Sequence, residues 1–246
     1  QTAGLAGFGD VEDEPVADPT VTKVGSQQTL NTQSIAITTD QDVSAGIFVV
    51  VVVGSRADAV NPTASDNGVG LTYTLRSVAH DSSNGASSYL FTAPVTGTLS
   101  SGAVITATGL CSSNAGWQGY VYAVSECTLF DVAAQNVNSW RTTGHVTGTT
   151  GSITGTNDAA IAVVVGYNAT TAFTSNWSGC TDLDSGFVDS RAYRVSWKAV
   201  TSGTQAATFD TTSGTTSAAG IVVVMAAAGG GSVVPKIMLG MNQFAG

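Results

Sequence analysis

The sequence predicts an all-β protein, a jelly-roll-like β-sandwich of about ten to eleven strands, built from two half-repeats with extended arms at both ends. Three observations predict this class. The chain is rich in Thr, Ser, Gly, Val and Ala, a composition that favours strands and turns over helices. Short apolar runs alternate with clusters of Gly, Asn, Asp and Ser, as in sandwiches and barrels. The later runs also repeat the order of the earlier ones.

The strand-sized runs fall into two sets. The first set lies at residues 34–38, 47–54, 71–78, 88–93, 103–109 and 118–125. The second set lies at residues 151–154, 159–168, 192–199, 205–211 and 219–227. Residues 48–53 and 221–224 are continuously apolar, which predicts central strands with both faces covered. Residues 72–77 and 193–198 alternate between apolar and polar, which predicts strands with one wet face.

The two sets correspond in order along the chain. The corresponding pairs are 47–54 with 161–166, 88–93 with 193–199, 105–108 with 207–210, and 119–124 with 220–225. Because each half supplies about five strands and small isolated sheets bury too little surface, we expect one sandwich with interleaved halves. Residues 131–135, between the halves, are expected to form an edge strand that crosses between sheets.

The predicted domain organisation is a sandwich over residues 34–228, with half-repeats at about 34–130 and 146–228. Residues 1–33 are predicted to be an acidic arm that contains Gly and Pro. Residues 229–246 are predicted to be a glycine hinge and an apolar tail, which packs either on its own sandwich or on a neighbouring subunit. The apolar tail residues are Val233, Val234, Ile237, Met238, Leu239, Met241 and Phe244.

The charge pattern argues against several function classes. The net charge is −9 and the eight Lys and Arg residues are scattered, so we expect no nucleic-acid binding. The longest apolar runs, at 47–53 and 221–228, are shorter than the roughly 18 residues of a membrane helix, so we expect no membrane segment. Cys111, Cys127 and Cys180 lack the CxxC spacing of a zinc site. Either one disulfide with one thiol or three buried thiols fits these cysteines.

Catalytic residues are not expected. His80 and His145 are the two histidines, and neither lies in a nucleophile motif, so both are expected to be surface loop residues. Glu occurs at positions 12, 14 and 126 alone, so the paired carboxylates of a glycosidase would have to be Asp. We therefore predict a protein that is not an enzyme and has no cofactor.

Asp182, Asp184 and Asp189 form a weak candidate cation site. Alternating carboxylates followed by Gly186 are ingredients of a calcium loop. The later bidentate Glu of such a loop is missing here. A turn between strands, stabilised by Asp side chains, is the alternative.

Five aromatic residues could stack on sugar rings if they are exposed together: Trp117, Trp140, Trp177, Tyr120 and Tyr167. Trp117 and Trp177 are the best candidate glycan-stacking residues. Each follows or precedes Gly or Asn and is expected in a loop, where an exposed indole could stack on a sugar ring. Packing in the core or between sheets is the alternative for both.

Several motifs together carry a family resemblance over about residues 34–228. These are the polyvaline strand, the Asp66-Asn67-Gly68 turn before Thr72-Tyr73-Thr74, the Ile-Thr-Ala-Thr run at 105–108, and Phe130-Asp131-Val132-Ala133-Ala134. The sequence thereby resembles β-sandwich modules found in bacteriophage virion proteins and in some secreted bacterial proteins. These motifs are structural and include no catalytic signature.

The resemblance implies a non-catalytic virion structural protein: a capsid decoration, a head fibre or a tail-associated module anchored by its terminal arms. The implied partners are capsid or tail subunits, further copies of the chain and a host surface glycan. The alternative implied by the resemblance is a secreted, extracellular glycan-binding module. The position within a particle and the oligomeric state stay open.

Overall fold

The computed structural model describes residues 17–55, 61–167 and 170–226. These residues form sixteen β-strands and no helix, and thus no helix that is long and apolar enough to cross a membrane. The predicted all-β, sandwich-like class is confirmed. β-Branched and turn-forming residues dominate the chain, and this composition leaves no stretch with a helical preference.

Each half of the chain contributes eight strands. The first eight are β1 (Val21–Thr32), β2 (Ile35–Thr38), β3 (Ile47–Gly54), β4 (Thr63–Asp66), β5 (Thr74–Asp81), β6 (Ala86–Pro94), β7 (Val104–Thr108) and β8 (Ala115–Val124). The next eight are β9 (Leu129–Arg141), β10 (His145–Val146), β11 (Asp158–Gly166), β12 (Thr174–Ser175), β13 (Thr181–Val188), β14 (Arg191–Val200), β15 (Thr208–Asp210) and β16 (Thr215–Met225). Residues 151–154, expected to be a strand, form a loop.

The sheet topology repeats from one half to the other. The first half has a five-stranded sheet in the order β1-β8-β3-β6-β5 and a three-stranded sheet in the order β2-β7-β4. In the second half the orders are β9-β16-β11-β14-β13 and β10-β15-β12, the same orders with eight added to each strand number. The strand correspondence predicted from the sequence is therefore present in the fold.

The number and arrangement of strands differ from the prediction. No described sheet mixes strands of the two halves, so the halves do not interleave in one sandwich. Each half is a two-sheet unit of its own. Short strands such as β4, β10 and β12 contain no apolar run, so the sequence did not predict them. Without these strands, each half was expected to bury too little surface for a core of its own.

The molecule has four layers, because the two five-stranded sheets pack face to face. Along β3, Val49 and Val51 point into the core between the halves, whereas Phe48 and Val50 point into the core of the first half. Strand β11 has the same arrangement in the second half. Both faces of these strands are therefore dry, which is the reason that their sequences show no alternation.

Gly220 lies at a close contact between the two halves. A Cβ atom added to Gly220 on β16 would lie under 3.0 Å from the Oγ of Ser77 on β5 and 3.1 Å from Leu90 Cδ1. The Ser77 hydroxyl also donates a hydrogen bond to the carbonyl of Ala134 in β9, at 3.3 Å. The missing side chain of Gly220 thus allows the halves to pack closely.

Strands β1 and β9 are equivalent edge strands, and each has two register shifts against its neighbour. Residues 21–32 were assigned to the N-terminal arm by the sequence, but they form β1 and pair with β8. The bulges interrupt the alternation of apolar and polar residues, so the sequence pattern did not indicate a strand here. Strand β9 includes residues 131–135, which were predicted to form an edge strand; it stays in one sheet and does not cross. Bulges are a common protection of sheet edges.

The first and the last described residues of the chain lie at the same end of the molecule. Asn157 Nδ2 donates a hydrogen bond to the Ala17 carbonyl at 2.6 Å, and Met225 pairs with Asp158. We call this the terminal end. Strand β16 spans 11 residues, and Met225 at the terminal end is about 35 Å from Thr215 at the other end of the strand. The opposite end, around Thr215, is the distal end.

Candidate functional site

Trp117 does not lie in a loop. It is on β8 with a fully buried side chain, opposite Gly54 on β3. Its Nε1 donates a hydrogen bond to the Thr32 carbonyl at 3.0 Å, and its ring lies 5.9 Å from that of Tyr89. The predicted sugar stacking at Trp117 is wrong, because the indole has no exposed face.

Trp177 is also part of a core. Its side chain is 7% exposed and packs in the core of the second half. The ammonium group of Lys198 lies 4.5 Å from the centre of its ring, so a cation covers the indole where it approaches the surface. The predicted sugar stacking at Trp177 is therefore wrong as well.

Trp140 is the most exposed large hydrophobic side chain among the described residues, at 64%. It lies near the distal end of β9, where Ser139 and Trp140 together oppose one residue of β16 and form a bulge. Its indole rests on Gly214, where an added Cβ would be 2.7 Å from Cε2. Trp140 was one of the five aromatic residues considered for sugar stacking, but Trp117 and Trp177 were preferred, because a bulge that turns a strand residue outward depends on pairing with β16.

Hydroxyl groups adjoin Gly214 at the distal end. Thr212 donates a hydrogen bond to Thr171 at 2.9 Å, and the Thr171 hydroxyl also lies 2.9 Å from that of Thr211 and 3.3 Å from that of Ser213. Thr212 is exposed and Thr171 and Ser213 are half-buried. The distal end thus combines an exposed indole with a cluster of neutral donors and acceptors.

The three aspartates of the candidate cation site are not brought together around one point. The Asp182 carboxylate forms an ion pair with Arg194, and Asp184 accepts from Lys23 Nζ at 2.7 Å. Asp189 lies in the turn after β13. Across residues 17–55, 61–167 and 170–226, no group of three His, Cys, Asp or Glu is placed to hold a metal ion. The described residues thus do not form the weak candidate cation site that the sequence offered at these three aspartates.

Asp184 belongs to a polar cluster that joins the two halves. Besides Lys23, the hydroxyl of Tyr122 donates to Asp184 at 2.7 Å. Burial, together with the Asp184 charge, raises the pKa of Tyr122 well above its ordinary value, so this hydroxyl stays a donor. The hydroxyls of Tyr120 and Tyr193 lie 2.7 Å apart across the same interface. The cluster fixes the relative position of β8 and β14.

His145 was expected on the surface, but it is fully buried on β10. Its Nδ1 lies 2.9 Å from the Ser217 hydroxyl, and its Nε2 lies 3.2 Å from the Arg141 carbonyl. Burial lowers the pKa of His145, which favours the neutral ring. Asn138 Nδ2 donates to the same Ser217 hydroxyl at 3.1 Å. This network ties the β9–β10 turn to β16. His80 is exposed, as expected, but it lies on β5 and not in a loop.

Asp158 is the least satisfied polar side chain at the terminal end. It is fully buried, and neither carboxylate oxygen accepts a hydrogen bond of good geometry. Burial and then the charge of Asp131 raise its pKa to about 6, although the backbone amides of Gly155 and Asn157 face it and lower the value. A pKa near 6 places its ionisation close to neutral pH.

The cysteines form no disulfide with one another. Cys111 and Cys127 are buried and Cys180 is half-buried. Burial raises the pKa of the Cys127 thiol to about 11, which keeps it protonated at neutral pH. Of the two arrangements that the sequence allowed, the structure has three thiols.

An open cavity of about 260 Å³ lies at the terminal end. Thr20, Thr22, Ser44 and Ser125 are among its lining residues. It is smaller than most small-molecule sites. The predicted tail interface, from Val233 to Phe244, lies outside the described residues.

No protein-family model, no curated protein and no solved structure matches the chain.

Proposed function

We propose that the protein is a non-catalytic structural protein of a bacteriophage particle, serving as a capsid decoration, a head fibre or a tail-associated module. The observation that carries the proposal is the common position of the two described chain ends. Ala17 and Met225 both lie at the terminal end, each beside a residue of the 157–158 segment. The segments before residue 17 and after residue 226 therefore join the body at one end, as attachment at that end requires.

The body between the two ends is built as one unit. The core between the halves contains aliphatic side chains from both five-stranded sheets, among them Val51, Val163 and Val222. Because this core is dry and continuous, separating the halves would expose it at a cost of about 25 cal/mol per Å² of apolar surface. Such a body holds its distal end about 35 Å from the attachment point.

Exposed apolar side chains are present at the distal end. Leu30, Trp140 and Phe187 are each more than 40% exposed, and they lie on the distal parts of β1, β9 and β13. Leu30 and Phe187 lie on neighbouring edge strands of the two halves, whereas Trp140 lies on the opposite edge of its sheet. A decoration or fibre module is attached to the particle at one end and exposes its other end, and the terminal and distal ends of this protein suit these two roles.

The tail is the proposed anchor, and its partners would be capsid or tail subunits or further copies of the chain. Residues 233–246 follow a glycine hinge and contain the seven apolar tail residues, from Val233 to Phe244. Their burial on a partner would provide the attachment energy. The resemblance to virion modules supports the setting in a virion.

The test is deletion of residues 233–246 from the full chain. We expect the melting temperature to stay within about 2 °C, while incorporation into particles or self-assembly, measured by light scattering after size exclusion, is lost. A matched control keeps the tail length and replaces Ile237 and Leu239 with Ser. Undiminished assembly of both variants would refute the proposal.

A further inference from the structure

We propose that the distal end of the second half binds a neutral saccharide, with Trp140 as the stacking platform. A pyranose ring has one apolar face of C–H groups and a rim of hydroxyls. A binding site for such a ring needs an exposed flat aromatic surface beside neutral hydrogen-bonding groups. Trp140 and the hydroxyl cluster around Thr171 supply these two parts next to each other.

The indole is held in place before any ligand binds. It lies against Gly214, and an added Cβ there would be 2.7 Å from Cε2 and 3.0 Å from Cζ2. Contact with the Gly214 backbone supports the ring from one side, while 64% of the side chain stays exposed. A ring that is already ordered loses little conformational entropy on binding. An exposed tryptophan with a supported ring is the feature that stacking requires.

The polar partners lie on the loop that supports the ring. Ser213 precedes Gly214, and its hydroxyl lies 3.3 Å from that of Thr171. Thr212, on the same loop, is exposed and donates to Thr171. A hydroxyl both donates and accepts, so this cluster matches sugar hydroxyls of either orientation.

The charged side chains of the β9–β10 turn are held by hydrogen bonds within the protein. The Arg141 guanidinium donates to the carbonyls of Ser139 at 3.2 Å and Gly144 at 3.1 Å. The Asp210 carboxylate accepts from the Gly144 amide at 2.7 Å and from Asn176 at 3.0 Å. The hydroxyls of Thr212 and Ser213, on the loop that carries Gly214, are uncharged, and they suit a neutral ligand.

The first half provides a matched control for simple hydrophobic exposure. Leu30 occupies the equivalent bulge of β1, where residues 30 and 31 oppose Gly116. Its side chain is 60% exposed, close to the value for Trp140. It is aliphatic and offers no aromatic face, so it should not contribute to sugar stacking.

The test is a glycan array probed with the full chain, followed by isothermal titration calorimetry with the best neutral ligand, a readout that does not depend on the tryptophan that is replaced. We expect Trp140→Ala to weaken binding about tenfold or more, Trp140→Phe to weaken it less, and Leu30→Ala to leave it unchanged. Gly214→Ala should also weaken binding, since its new Cβ displaces the indole while the backbone angle at residue 214 accepts Ala. Melting temperatures of all variants separate loss of the site from loss of the fold.

Three results would overturn the proposal. These are no binding of neutral glycans at millimolar concentration, binding of acidic glycans alone, and equal binding by the wild type and a folded Trp140→Ala variant. The site is independent of the proposed anchor. The chain that lacks residues 233–246 should therefore bind the same glycan with unchanged affinity, so failure of one proposal is distinguishable from failure of the other.

Discussion

Asp158 makes the stability of this protein depend on pH in an unusual direction. Its carboxyl is fully buried without a hydrogen bond of good geometry, and its pKa is raised from 3.8 to about 6, chiefly by burial. The folded state therefore holds a proton that the unfolded state has already released between about pH 4 and pH 6. The contribution of this group is fully present below pH 4 and is lost as the pH rises through 6.

The substitution Asp158→Asn removes the ionisation and keeps the shape of the side chain. A pKa raised from 3.8 to about 6 corresponds to about 3 kcal/mol of folding free energy that the wild type loses at neutral pH. The Asn amide brings donors that lack partners at this site, which costs about 1–2 kcal/mol. We therefore expect the variant to exceed the wild type by about 1–2 kcal/mol at pH 7.5. At pH 4 it should be equal or slightly less stable.

The assay is urea unfolding of both proteins at pH 4.0 and pH 7.5, followed by circular dichroism. The matched control is Asp40→Asn, which makes the same chemical change at an exposed residue. The quantity compared is the difference between variant and wild type, because titration of all other groups cancels in it. If this difference is the same at both pH values, the explanation based on burial of Asp158 is refuted.

Two further predictions concern backbone geometry. Gly220→Ala should destabilise the fold by about 1–3 kcal/mol, because its Cβ meets the Ser77 hydroxyl. In the double variant Gly220→Ala/Ser77→Ala the two Cβ atoms would be 3.4 Å apart, so part of the lost melting temperature should be recovered. If the destabilisations of the two single substitutions simply add in the double variant, the contact is contradicted. Ser190→Gly should stabilise the β13–β14 turn by about 0.5–1 kcal/mol, because Ser190 has a φ of 63°. Ser178→Gly, at a residue without positive φ, should give no gain.

The predictions from sequence succeeded where one apolar pattern determines the local structure. The polyvaline run of β3 and residues 221–224 of β16 were predicted to form central strands, and both runs are covered on both faces. The correspondence between the halves was also visible, because equivalent strands keep equivalent burial. Hydrophobic periodicity depends on neighbours along the chain, so it can be read without knowledge of the fold.

The predictions failed where a side chain's surroundings come from a distant strand. Trp117 was expected in a loop, yet it is buried because it pairs with Gly54, whose missing side chain leaves room for the indole. Strand β1 was assigned to an arm because bulges interrupt its alternation. The exposure of Trp140 likewise follows from a bulge against β16. Pairing between strands far apart in sequence decides all three.

The sequence by itself determined that this protein is all-β, that it consists of two equivalent sets of strands, and that its longest apolar runs lie at the centres of sheets. These properties follow from composition and from local periodicity. Only the tertiary structure decided that each half is its own two-sheet unit, that both described chain ends lie at the terminal end, and that Trp140 is the exposed tryptophan at the distal end. The physical reason is that register, bulges and packing between sheets are set by contacts between residues remote along the chain.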